Sequence, residues 1–131
     1  MEDVFTRIVL GHLTADYLLQ SKQTALSKSK KGLRGAVCCT IHCVIYATTV
    51  CLFLFRFDLL FFSLVFLSHF LIDRWSLAEK WLQLIKGRTF KEALESQDKY
   101  REFDVAFSCI VYAVADNTMH LVLLWLITKW V

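Results

Sequence analysis

The chain has 131 residues, of which 56% are hydrophobic, 15% aromatic and 21% charged, with a formal net charge of +3. Soluble domains carry about 25% charge, and proline, absent here, averages about 5% of residues; collagen-like, proline-rich and disordered chains are excluded. The apolar excess is gathered in long runs, which points to one all-α integral membrane domain over 1–131, a bundle of four transmembrane helices at about 3–20, 36–55, 59–86 and 104–130.

The first of these is the most polar. Val4, Phe5, Ile8, Val9, Leu13, Tyr17 and Leu18 recur at helical spacing, interrupted by Arg7, His12 and Asp16. The pattern predicts a transmembrane helix with a polar inner stripe; an amphipathic helix lying in the interface is the alternative. Met1-Glu2-Asp3 lacks the basic start of a secretory signal and no small-residue cleavage site follows, so the helix is expected to be retained. Residues 21–35, rich in Ser, Lys and Gly, read as a solvated loop.

From Ala36 to Ile72 the apolar sequence is broken only at Arg56-Phe57-Asp58. One helix of that length would run about 55 Å, well beyond the roughly 30 Å hydrocarbon core. Two helices, 36–55 and 59–73, joined by a tight turn are predicted instead. Beyond Asp73, the residues Trp75, Ala78, Trp81, Leu82 and Ile85 share one face of an amphipathic extension to residue 86, suited to the headgroup layer. Gly87 ends it. Thr89 and Glu92 stand at capping-box spacing and predict a short charged helix to about Tyr100. The final run, Val105 to Val131, is 27 residues long, enough to span with tilt.

Twelve of the 15 Lys and Arg residues lie in 21–36 and 74–103; only Arg7, Arg56 and Lys129 lie elsewhere. Short basic loops stay on the cytoplasmic side. Both loops are therefore expected inside, and the two termini and the 56–58 turn outside. The Lys28–Arg34 run is read as topological, and no nucleic-acid partner is expected. The five cysteines form no CxxC pair, and four of them fall in one apolar run. They read as small apolar side chains in a reduced setting.

All four histidines lie in apolar helices, and three have an aspartate one turn away: His12/Asp16, His69/Asp73 and Asp116/His120. The fourth, His42, has Tyr46 at the same spacing. A lone aspartate near the bilayer centre costs at least about 2.5 kcal/mol. Asp16, Asp73 and Asp116 should therefore face one another inside the bundle. A buried hydrogen-bond network is one outcome. The favoured one is a metal site formed by His12, Asp16, His42, His69, Asp73, Asp116 and His120. Mixed imidazole and carboxylate ligands suit a divalent transition metal, zinc first among them. Three aspartates favour two ions over one by charge, with Arg74 able to neutralise a one-ion site.

The segment Gly11-His12-x-x-x-Asp16-Tyr17-x-x-Gln20 resembles the signature of small integral membrane proteins of bacteria and their phages, grouped as domain of unknown function 3307. His69-Phe70-Leu71-Ile72-Asp73-Arg74 and Asp116-Asn117-x-x-His120 match the same pattern, so the resemblance covers most of the chain. It implies a place in the bacterial inner membrane. More distantly the pattern is similar to inner-membrane metal-dependent hydrolases, which also set His and Asp pairs on transmembrane helices.

The expected function is hydrolysis of a lipid-like ester or phosphoester at the cytoplasmic face, with membrane lipid as the surrounding partner. Asp16 and Asp116 are candidate proton-transferring groups, and Arg74 is the candidate stabiliser of a developing anion. The alternative is a non-enzymatic, metal-stabilised module that binds a protein partner, or a second copy, through its loops. A proton or ion conductor needs polar groups through the whole thickness. Leu52-Phe53-Leu54-Phe55 and Leu59-Leu60-Phe61-Phe62 leave one half apolar and count against it. GxSxG, phosphate-loop and HExxH motifs are absent.

Overall fold

The computed structural model describes residues 3–87 and 89–131. Met1 and Glu2, part of the expected retained start, and Arg88, one of the basic residues of 74–103, lie outside the described residues. Among these the chain is all-α: α1 (Val4–Leu13), a π-helical turn (Thr14–Leu18), α2 (Lys22–Ser27), α3 (Leu33–Leu54), α4 (Leu59–Arg74), α5 (Leu77–Lys86), α6 (Phe90–Glu95) and α7 (Arg101–Trp130).

Two of these helices, α3 and α7, are long and apolar enough to cross a membrane. Helices α4 and α5 qualify together as a third span, bent by 54° where Ser76 takes a left-handed conformation (φ 48°). The segment expected at 3–20 is α1 followed by the π turn, shorter than the about 20 residues that a straight span requires.

Local chemistry sets the boundaries. Asp58 caps α4, accepting from Phe61 N at 2.8 Å. Arg56 bridges Asp58 (3.0 Å) and the Val131 carbonyl (3.1 Å), pinning the α3–α4 turn to the end of α7. The Arg7 guanidinium lies 4.9 Å from the Phe55 ring, so the start of α1 sits at that same end. At the opposite end, Arg74 donates to the carbonyls of Ser29 and Lys30. The helices thus run up and down, with segment 21–32 and the α4–α7 connection together at one end.

Two expectations need correction. Segment 21–35 is not an open loop: Ser21 caps the short helix α2, accepting from Thr24 N at 3.2 Å, and α3 already begins at Leu33. The charged helix starting at Thr89 has the expected capping box, with both bonds at 3.1 Å, but stops at Glu95 rather than near Tyr100. Ser96 and Asp98 side chains take the backbone N–H groups of Asp98 and Tyr100, which competes with helical bonding there.

The core lies between α1, α3, α4 and α7. Ile8, Tyr46, Ala47, Val50, Phe61, Val65 and Leu124 are all buried in it. Gly11 allows α1 to approach α3 closely; a Cβ there would meet Phe53 Cβ at 3.2 Å. By contrast α7 buries only His120 and Leu124, while Ile110 and Val114 are about 62% and 61% exposed.

Candidate metal centre

Four side chains from three segments converge at one point. His42 comes from α3, and His69 and Asp73 from successive turns of α4. Asp16 comes from the π turn after α1. That turn departs from regular helix at the residue that joins the cluster, as π turns often do at functional sites.

His42 Nε2 and His69 Nε2 face each other at 2.9 Å. Asp16 Oδ1 lies 3.2 Å from the first and 3.4 Å from the second. Asp73 Oδ2 lies 3.3 Å and 3.1 Å from the same two atoms. Asp16, His42 and His69 form one group whose ligand atoms lie within 4.8 Å of one another, with separations near the edges of about 3.3–3.4 Å that tetrahedral bonds of about 2.0–2.1 Å would give; Asp73 Oδ2 stands beside the two imidazoles. As hydrogen bonding alone the arrangement is poor. One imidazole N–H serves the other imidazole, Asp16 Oδ1, though buried, lacks an aligned donor, and Asp73 Oδ2 has the Lys28 ammonium as its close partner.

Asp73 faces two ways. Its Oδ1 lies 3.5 Å from His120 Nε2, which has no hydrogen-bond partner and stands 3.8 Å from Asp116 Oδ2. His69, Asp73 and His120 form a second group whose ligand atoms lie within 4.8 Å of one another. The rings are layered, with Tyr46 on His69 at 3.5 Å between centroids and His69 on His120 at 4.1 Å. His69 Nδ1 has no acceptor behind it, so stacking rather than the usual outer hydrogen bond orients that ring. Asp116, 20% exposed, sits at the rim.

Not every expected ligand joins. His12 belongs to neither ligand group: its Nδ1 lies 3.5 Å from Asp16 Oδ2, its partner one turn on, but both nitrogens make shorter hydrogen bonds to other side chains. Nε2–H donates to Asn117 Oδ1 at 2.6 Å, and Nδ1 accepts from Tyr46 Oη at 2.8 Å. Asn117 Nδ2 in turn donates to Tyr17 Oη at 2.6 Å. This neutral chain braces α1, α3 and α7. Arg74 is likewise turned away, held by the carbonyls of segment 29–30. Cys39 and Cys43 are buried with their sulfurs 3.9 Å apart, but neither joins a ligand group among the described residues.

The cation at the centre is one that the pattern of charges did not single out. Lys28 Nζ lies 2.7 Å from Asp73 Oδ2, with the lysine side chain only 16% exposed. Burial alone would push the ammonium's pKa down, but Asp73 beside it, with Asp16 and Asp116 further off, holds it above the ordinary lysine value. Two features bring Lys28 there. Arg74 grips the carbonyls of Ser29 and Lys30, and Gly35 lets the Lys30 carbonyl rest on the start of α3, where a Cβ would clash. The local sequence offers only a glycine, Gly35, close to this lysine-rich turn; Arg74 reaches it from more than forty residues away.

No curated protein and no solved structure matches the chain. The model of one family, described as a protein of unknown function (DUF3307), matches residues 4–131, and the chain belongs to that family.

Proposed function

We propose that the chain is a four-span protein of the bacterial inner membrane that binds a divalent transition metal, zinc first, and hydrolyses a lipid-like ester or phosphoester at the cytoplasmic face. The observation that carries this reading is the convergence of Asp16, His42 and His69, with ligand-atom separations of 2.9–3.4 Å, beside a second group of His69, Asp73 and His120. One carboxylate and two imidazoles, three ligands in all, differ from the Cys-rich sets of closed structural zinc sites and suit a centre that keeps a fourth position for water. Asp73, with one oxygen toward each ligand group, suits a bridging role if two ions bind.

When bound, such an ion supplies a water-derived nucleophile near neutral pH. The protein's own groups do the rest. Asp116 at the rim is placed to hold or move a proton. Lys28, rather than Arg74, is the cation beside the cluster and would meet charge developing on a substrate oxygen. The His12–Tyr46–Asn117 chain holds three helices in register around the site. The outward apolar surface of α7 supports the membrane setting, and the clustering of basic residues supports loops 21–35 and 74–103 in the cytoplasm.

The test is metal-loaded protein in mixed micelles with a panel of lipid esters and phosphoesters. Turnover is expected, and Asp116→Asn should abolish it while metal content and melting temperature stay unchanged. Absence of turnover on the whole panel, with the metal fully saturated by protein ligands, would favour the metal-stabilised binding module.

A further inference from the structure

Beside the cluster lies a second feature that the chemistry above does not use. Helices α5, α6 and α7 enclose an open cavity of about 610 Å³, within the range of about 300–1,000 Å³ typical of small-ligand sites. Its walls are apolar: Leu82 from α5, Phe90 from α6, and Phe107 and Val111 from α7. Glu79 and Lys86 stand exposed on its rim. One wall is polar in a directed way. Ser108, Tyr112, Asp116 and His120 follow one another at four-residue intervals, so they form one stripe along α7. The first two line the cavity and the last two stand at the metal cluster. The Ser108 hydroxyl is buried and has no hydrogen-bond partner, although it faces an otherwise apolar space. A buried hydroxyl left unpaired is destabilising, and a ligand oxygen would satisfy it.

We propose that this groove binds the acyl chain of a single-chain ester amphiphile, with the ester oxygens on the Ser108–Tyr112 stripe and the polar end directed toward Asp116. Three features select this occupant. Leu82, Phe90, Phe107 and Val111 offer the dispersion and hydrophobic contact that an alkyl chain needs. On α7 the polar groups follow one stripe, with Glu79, Lys86 and Thr89 on the α5–α6 side, which suits a ligand that is polar at one end. The line leads toward the cluster, so a bound chain points its polar end at it. The inference rests on the hydrolase reading for what happens at the far end, but chain binding itself does not require the metal.

The experiment uses the full-length protein in detergent and a palmitoyl ester carrying a photoreactive diazirine on its chain. Labelling is mapped by mass spectrometry in wild type, in metal-stripped protein and in His69→Ala. Labels are expected on the 77–86 and 103–112 segments in all three. Val111→Trp, which fills the groove, should lower them about tenfold, as should Leu82→Trp from the opposite wall. Melting temperature is measured for each, so that a variant that fails to fold is replaced by the other. Ser108→Ala should weaken retention of the ester probe and leave an alkane probe unchanged. Labels spread evenly over Ile110 and Val114, unaffected by Val111→Trp, would mean bulk lipid contact and overturn the proposal. Exclusion of the probe together with cross-linked dimers would overturn it in favour of a second copy. Labelling that persists while the metal-loaded protein hydrolyses no ester would reject the hydrolase and keep the groove.

Discussion

Two polar constellations share the interior of this bundle, and they are built on opposite principles. Around His12 every donor meets an acceptor: Tyr46 Oη to Nδ1, Nε2–H to Asn117, and Asn117 to Tyr17. Around His42 and His69, Lewis-basic atoms crowd together at 2.9–3.4 Å, with the Lys28 ammonium on Asp73 Oδ2 against two carboxylates and two imidazoles, and Asp16 Oδ1 left without an aligned donor. A satisfied network stabilises helix packing and needs nothing further. A cluster of bases inside an apolar bundle is costly until a cation enters it. The first constellation therefore reads as structure and the second as a binding site, though both are made from the same residue types at the same spacing.

This contrast can be broken most forcefully at Asp73. Asp73→Ala removes the carboxylate that stands between His42, His69 and His120 and leaves Lys28 without its close partner. Breaking a buried pair in this way costs about 3–5 kcal/mol, and bound metal should be lost as well. Chemical denaturation and elemental analysis on the same preparation check both effects. His69→Ala should abolish metal binding and with it the stabilisation that metal confers, about 2.7 kcal/mol when free metal is a hundredfold above its dissociation constant. Differential scanning with and without chelator reads this directly.

His12→Ala is the matching probe of the other constellation. It should cost about 1–3 kcal/mol, because Asn117 and Tyr46 lose their partner, while metal stoichiometry stays at the wild-type value. Loss of metal in that variant would erase the distinction. A smaller effect is expected at Gly35→Ala, which forces the Lys30 carbonyl off α3 and displaces Lys28. Overpacking of this kind costs about 1–3 kcal/mol, with metal retained. The smallest change is Thr89→Ala, a lost cap worth about 0.5–2 kcal/mol at α6, without effect on either constellation. Cysteine labelling at Ser29 and Ser96 adds the membrane frame: both should react only from the cytoplasmic side.

Much of the fold was legible because its signals are local. The two apolar runs flanking Arg56–Asp58, the capping box at Thr89 and Glu92, and the final apolar run all depend on residues close in sequence. The breaks were harder. Side-chain bonding at Ser96 and Asp98 ended α6 early, and the short, capped α2 sat in a stretch whose composition reads as loop. Within the site, the one-turn spacing identified which residues face inward, but not what each would meet there. His12 and His69 have the same aspartate spacing. What separates them is the presence of Asn117 and Tyr46 across the helix interface, which no local pattern contains. Lys28 was concealed for the same reason: its placement depends on Arg74 and Gly35, distant contacts that fold the segment back over the cluster.

The central claim is that the His42–His69 cluster holds metal and the His12 network does not. Elemental analysis of detergent-purified wild type, His69→Ala and His12→Ala, prepared without added metal, tests it most directly. The account predicts a stoichiometric divalent transition metal in wild type and in His12→Ala, and none in His69→Ala. Wild-type protein without stoichiometric metal, whose melting temperature responds to neither zinc nor chelator, would contradict it.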